Sequence, residues 1–334
     1  MLGDACRKLL LVLGCALPAL AGHAAPGPEP GPVPLATLRE HYAGPTSRYL
    51  VVDGVELHYA DEGAGFPVLL LNASYTTLDA WRHVVAALSD AFRVIRLDFP
   101  ATGLSGTETR TPPGGRWDVI GRNVEIVGAL LDRLDIEGAN IIGSSTGGSV
   151  AFHFASSQPE RVNRLVLINA AGMPRTPQTD PNRERADIEA WQRMTYKPRA
   201  YWAYSVGRNF PSGRTPPAWF LDTLYDSNRR TPAADPAQYR FRTGDPKTVL
   251  AGVEAPTLIL WGRANPTVMH LEADVLAHWM TAAPTLVRKY DGLGHYPFIE
   301  APARIIPDIR AFLAGKLDGA LRLTVRKQVS IDAR

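Results

Sequence analysis

The sequence predicts an α/β fold, a mostly parallel β-sheet with helices on both faces, together with an inserted helical cap. Three observations predict it. Short apolar strands alternate with amphipathic helical stretches in two blocks of the chain. One strand runs straight into a Gly-x-Ser-x-Gly turn followed by small residues that can open a helix. Between Gly172 and about Leu250 the alternation stops, and prolines, arginines and aromatics take over.

Taken in order, the chain begins with Arg7-Lys8, an apolar run from Leu9 to Ala21, and small residues at Gly22-His23-Ala24-Ala25. Charged region, apolar region and cleavage site together predict a signal peptide over residues 1–25 and export to the periplasm or beyond. The run is shorter than the ~20 apolar residues a spanning helix needs, which ranks a membrane anchor second. A lipid-attachment reading at Cys15 ranks third, because apolar residues continue past it. Both cysteines, Cys6 and Cys15, lie in this segment, so the mature chain has no disulfide and no thiol chemistry. Of the 334 residues 45% are hydrophobic, and the net charge of +3 becomes +2 once residues 1–25 are removed. That balance, with no Lys/Arg run, argues against a nucleic-acid surface.

Residues 26–46 are expected to be a Pro/Gly-rich linker, with order starting near Leu35. Residues 47–171 form the first half of the core. Tyr49 to Ala60 predicts two strands around the hairpin signal Asp53-Gly54. Pro67 to Leu71 and Phe92 to Leu97 are further strands, separated by helical spacing at Leu78, Trp81, Val84, Val85 and Leu88. Val119 to Leu134 is an amphipathic helix. A strand then ends at Ser145, Gly148 to Ser157 is helical, and Arg164 to Ala170 is again a strand. Residues 172–250 are the cap, whose aromatics mostly serve its own small core, with two or three facing a pocket. Residues 251–317 complete the core: a strand at Pro256 to Gly262, a helix around Leu271 to Met280, a strand at Thr285 to Tyr290 and a last helix at Ala303 to Leu317. The tail, 318–334, is alternating and basic, with no assigned role.

The chemistry gathers at Gly143-Ser144-Ser145-Thr146-Gly147. A glycine-rich turn with a chance serine is the plain reading. The functional one is a nucleophile elbow: Ser145 at the apex of a strained strand-to-helix turn, its hydroxyl pushed outward. Gly143 and Gly147 are then required, because a Cβ at either would meet the neighbouring strand or helix. The Thr146 N–H, at a helix N-terminus, supplies half of an oxyanion hole.

With LLLNASYTTLDAW, LDFPATGLSG, GSSTGG and the loops WGRANP and GLGHYPFIE, the chain resembles the α/β-hydrolase fold superfamily, in its capped esterase, lactonase and haloperoxidase-like branch. The likeness covers roughly residues 48 to 316. It implies that Ser145 is the nucleophile, that His295 is the general base, and that the N–H groups of Ser74 and Thr146 form the oxyanion hole. It implies no metal and no organic cofactor. Epoxide hydrolase and dehalogenase chemistry would need an aspartate at 145.

Two departures stand out. The position that usually holds the catalytic aspartate is Asn265. An amide can orient His295 but brings no charge, and this exchange costs about 10⁴ in kcat in a serine protease. Either Asn265 orients the ring in a slow enzyme, or Glu272, Asp274 or Glu300 substitutes, or the site is degenerate. The alternative acid position, after strand six, holds Asn169, again an amide. The second departure is Asn72-Ala73 in place of His-Gly, which would strain the loop if Ala73 had positive φ. The first expectation is a serine hydrolase acting on a small ester or lactone through an acyl-enzyme. The alternatives are a catalytically impaired small-molecule binding protein and a carbon–carbon bond hydrolase of the same fold. The oligomeric state is left open.

Overall fold

The computed structural model describes residues 28–173, 186–211, 214–240 and 244–323. The expected signal peptide and the end of the basic tail lie outside these. An eight-stranded sheet organises the rest. Its strands are β1 (Ser47–Val52), β2 (Val55–Glu62), β3 (Pro67–Leu71), β4 (Arg93–Leu97), β5 (Ala139–Ser144), β6 (Val162–Ile168), β7 (Thr257–Gly262) and β8 (Thr285–Tyr290). Their spatial order is β8-β7-β6-β5-β3-β4-β2-β1. All neighbours from β8 to β4 run parallel, while β2 is antiparallel to both β4 and β1. The β1–β2 turn is Asp53-Gly54, with φ of 43° and 85°, the left-handed pair that a two-residue hairpin demands.

Strand periodicity sorts the core into two layers. Leu69, Leu71, Ile141, Leu165, Leu167 and Ile259 face one side. There they pack on α3 (Val119–Arg133) and α4 (Thr146–Ser157). Val68, Leu70, Ile142, Val166, Leu258 and Leu260 face the other, against α2 (Arg82–Leu88) and α11 (Pro302–Leu313). Both faces are covered, which is why these strands read as continuous apolar runs. Pro302 opens α11, and Pro307 sits inside it.

Between β6 and β7 the described residues hold α5 (Ala186–Arg193), α6 (Arg199–Gly207), α7 (Ala218–Ser227) and α8 (Pro246–Ala251). The helix α9 (Glu272–Trp279) follows β7, and the short α10 (Pro297–Glu300) follows β8. The cap is not a self-contained satellite. Trp202, Val206, Phe210, Phe220, Leu221 and Leu224 join the same apolar cluster as the second face of the sheet. No helix among the described residues is long and apolar enough to cross a membrane.

The expected linker needs correction. Within residues 26–46, Val33–Pro34 pairs in parallel with Arg230–Thr231, and α1 (Leu35–Tyr42) follows. Side chains make this possible where composition suggested nothing to bury. Leu38 is fully buried, Arg39 reaches the Leu104 carbonyl (3.1 and 3.0 Å), and the Tyr42 hydroxyl donates to Asp226 (2.6 Å).

A tight approach lies where β5 turns into α4. A Cβ added at Gly143 would strike the Gly147 carbonyl, and one at Gly147 would strike the carbonyl oxygens of Leu71 and Asn72. All of these obstacles are backbone atoms. Gly147→Ala is therefore expected to lose at least ~2 kcal/mol through overpacking, read as a lower midpoint of thermal unfolding by circular dichroism.

Candidate active site

The loops at the carboxyl ends of the strands converge on one rim of the sheet, where open α/β sheets bind their ligands. Ser145 sits at the end of β5 with φ 53° and ψ −119°. Its backbone holds that conformation through four hydrogen bonds. The N–H donates to Ile168 O (3.0 Å), and the carbonyl accepts from Gly148 (2.9 Å), Ser149 (3.2 Å) and Ala171 (2.9 Å). The side chain faces a cavity of about 590 Å³ whose walls include Ser74, Thr146, Trp202, His295 and Tyr296. Serine and histidine, 150 positions apart in sequence, thus border one space. Among the described residues no hydrogen bond joins the Ser145 hydroxyl to the His295 ring; in active sites without substrate such bonds are often long and tighten in the complex.

Two donors lie beside Ser145. Thr146 is the first residue of α4, so its N–H has no partner within the helix. The Ser74 N–H makes no bond among the described residues, and the Ser74 and Thr146 hydroxyls are 3.0 Å apart. These are the two groups expected to form the oxyanion hole. Ala73 does not carry the strain that its glycine-replacing position suggested, because positive φ falls two residues later, on Tyr75 (66°). Asn72 is structural: its Nδ2 donates to Leu97 O (2.7 Å) and its Oδ1 accepts from the Trp81 indole (2.7 Å).

His295 is 2% exposed and held on every side. Its N–H donates to Asn209 O (2.8 Å), and its carbonyl accepts from Asn169 Nδ2 (2.9 Å). Asn169 also donates to Gly294 O (3.1 Å) and accepts from Gly262 N–H (3.0 Å). It braces the histidine loop against β7 through the backbone and does not serve as the alternative acid. Behind the ring, Tyr296 packs against Phe210 and Phe220 of the cap, with centroids 5.9 and 5.2 Å apart. Of the cap aromatics, Trp202 reaches the cavity wall.

Asn265 is the residue at His295 Nδ1, with Nδ2 at 3.0 Å and Oδ1 at 3.2 Å. The carboxylates considered as substitutes are engaged elsewhere. Glu300 accepts from the N–H groups of Gly294 (2.8 Å) and Tyr296 (3.0 Å), Glu272 accepts from Met269 N–H (3.0 Å), and Asp274 pairs with Lys289. Burial pushes the Glu300 carboxyl above its usual range.

The orientation of the Asn265 amide is fixed by backbone. Its Oδ1 accepts from the backbone N–H groups of Thr267 (2.9 Å) and Val268 (3.2 Å). Turning the amide over would set its NH₂ against two donors. Nδ2, at 3.0 Å, can only donate to Nδ1, whereas Oδ1, at 3.2 Å, can accept from an Nδ1–H, so the amide allows either ring tautomer. A base for the Ser145 hydroxyl needs the tautomer with its proton on Nδ1. Asn265 holds His295 in place without the charge that would select that tautomer. Sequence reasoning identified the residue but not its orientation, because the two N–H groups that orient the amide carry no side-chain signal.

A family model described as alpha/beta hydrolase fold matches residues 67–302. A 2-hydroxymuconate semialdehyde hydrolase from Pseudomonas sp. strain CF600 is 28% identical over 80% of this chain and 93% of its own. A 2-hydroxy-6-oxononadienedioate/2-hydroxy-6-oxononatrienedioate hydrolase from Paraburkholderia phymatum is 40% identical, over 38% of this chain and 46% of its own. Among solved structures, a thermophilic esterase from Thermogutta terrifontis shares the fold with a TM-score of 0.65 at 22% identity, over 80% of this chain and 98% of the other.

Asn265→Asp tests the tautomer argument. One carboxylate oxygen would keep the bonds to Thr267 and Val268, and the other would accept from Nδ1–H and hold the ring proton there. Serine-directed turnover at neutral pH is expected to rise by up to ~10⁴-fold. An unchanged kcat/KM would show that the absent charge does not limit the reaction.

Proposed function

This chain belongs to the α/β-hydrolase fold family, and on that basis we propose that it is a serine hydrolase whose target is a carbon–carbon bond next to a carbonyl group. The observation that carries the acyl-transfer chemistry is the placement of Ser145 on its strained turn, beside the uncommitted N–H groups of Ser74 and Thr146 and in one cavity with His295. Relatives named for 2-hydroxymuconate semialdehyde and 2-hydroxy-6-oxononadienedioate favour carbon as the leaving atom over the ester or lactone oxygen expected first.

Ser145 Oγ attacks the carbonyl carbon and its proton passes to His295 Nε2, the ring proton being on Nδ1. The electron pair moves onto the carbonyl oxygen, where Ser74 and Thr146 N–H groups stabilise it. When the carbonyl re-forms, the carbon–carbon bond breaks. Its pair leaves as an enolate, delocalised onto a second carbonyl, and takes the proton back from His295. Water then opens the acyl-serine ester. An ester or lactone would follow the same path with an alkoxide leaving.

The amide at 265 favours a second reading, a binding protein with an impaired site. Export is also proposed, from Arg7-Lys8 and the run Leu9–Ala21. N-terminal sequencing of the protein from cells should then find a chain starting at about Ala25 or Pro26.

A conjugated 2-hydroxy-6-oxo-dienoate loses absorbance when its chain is cut, which gives a direct assay. The expected result is a kcat/KM at least ~10-fold above that for 4-nitrophenyl acetate, with Ser145→Ala lowering kcat by ~10³ or more. Faster turnover of the ester would return the assignment to ester cleavage. No turnover of either, together with no fluorophosphonate labelling of Ser145, would leave the binding reading.

A further inference from the structure

Proton transfer from Ser145 turns the His295 imidazole into a cation, and a nearby negative charge favours that form. Position 265 supplies none. Among the described residues, the wall of the catalytic cavity carries no aspartate or glutamate, and Arg208 adds a positive charge to it.

Glu300, the last residue of α10, reaches back to the histidine loop. Its two oxygens accept from the N–H groups on either side of His295: Oε2 from Gly294 (2.8 Å) and Oε1 from Tyr296 (3.0 Å). The His295 N–H between them goes to Asn209 O (2.8 Å). Gly294 permits this closeness, because a Cβ there would strike Asn209 O and lie 3.1 Å from Glu300 Oε1.

The charge on this carboxylate is incompletely compensated. Burial pushes its pKa up, and the two N–H groups and Arg214 of the cap, which pull the other way, do not cancel the effect. Its field reaches the side chains of the loop. Burial pushes the Tyr296 phenol above its usual range, and the Glu300 charge adds to this against a hydrogen bond from Asn209. The Tyr296 ring stands edge-on to the imidazole, with centroids 4.9 Å apart. Of the ionisable groups that face the pair, Arg208 and Arg214 come from the cap and Tyr296 from the loop itself, and none of them is a carboxylate.

We propose that Glu300 is a positioning residue that carries the negative charge missing at position 265. It fixes the backbone on both sides of His295, and its charge favours the imidazolium that forms when the ring takes the Ser145 proton. A half-buried anion short of partners gains when a cation forms beside it. Asn265 remains the residue at Nδ1, so Glu300 acts through backbone and field. The proposal rests on the reading of Ser145 as nucleophile.

Proton titration of His295, followed by NMR without substrate, is the first test. In Glu300→Gln the imidazole is expected to protonate at a pH lower by at least ~0.5 than in the wild-type protein. Turnover is the second. Gln keeps one acceptor oxygen and turns an NH₂ toward the other N–H, so part of any loss is the weakened clasp, and that part is the same whatever stands at 265. The comparison of backgrounds isolates the charge. Glu300→Gln should lower kcat at least ~5-fold more in the wild-type background than in Asn265→Asp, where a carboxylate already faces the ring. An unmoved His295 titration, or equal losses of kcat in the two backgrounds, would overturn the proposal. If Glu300→Gln does not fold, the wild-type protein decides: the Glu300 carboxyl carbon signal should show a second inflection at the His295 midpoint, and a single inflection would overturn the proposal. The titrations need no bond cleavage. An inert Ser145 would therefore leave them standing, and uncoupled titrations would leave the Ser145 chemistry standing.

Discussion

Ser145 holds a backbone conformation that costs an L-residue ~1–3 kcal/mol, and much of the surrounding structure serves to keep it there. Three N–H groups, from Gly148, Ser149 and Ala171, converge on its one carbonyl oxygen, while its own N–H is tied to the end of β6. The bond from Ala171 matters most for function. It links the elbow to the segment just after β6, where the chain leaves the sheet for the cap. Gly143 and Gly147 supply the second half of the constraint by letting α4 approach β5 and β3 closely. The donor at Thr146 and the exposed face of the hydroxyl both follow from this one turn.

The motif that encodes the turn was legible because it is local: five consecutive residues, each with a steric reason. His295 was legible for a similar reason, since a short glycine-containing loop after the last strand places one imidazole. The sheet was readable because both faces are covered, which produces uninterrupted apolar strands. What could not be read is relational. Asn169 was noted only as an amide at the alternative acid position, and in the fold its side chain bonds backbone groups of Gly262, Gly294 and His295. Glu300 looked like a spare carboxylate, yet it caps the N–H groups of Gly294 and Tyr296. The linker was misjudged because Pro and Gly dominate residues 26–34, whereas its docking depends on Leu38, Arg39 and Tyr42 farther along. The burial of Arg230 carries no sequence signal, because the carbonyls of Thr102, Gly103 and Pro232 that hold it come from the fold.

The cap has a role beyond covering the rim. Phe210 and Phe220 lie against Tyr296, whose neighbour in sequence is His295. Asn209, next to Phe210, accepts the His295 backbone N–H and receives the Thr267 hydroxyl at its side-chain oxygen. The ring is therefore positioned from one side by the sheet, through Asn169, and from the other by the cap.

The amide at 265 reads most economically as a tuned feature of this arrangement. A side-chain amide usually drifts to a carboxylate when the following backbone nitrogen attacks it, and here that nitrogen belongs to Pro266, which has no N–H to lose. The amide oxygen is also held by Thr267 and Val268, so the group is both chemically durable and fixed in orientation. A carboxylate in its place would bring a buried negative charge close to the ring and favour the imidazolium. With the amide, no charge lies against the ring from position 265.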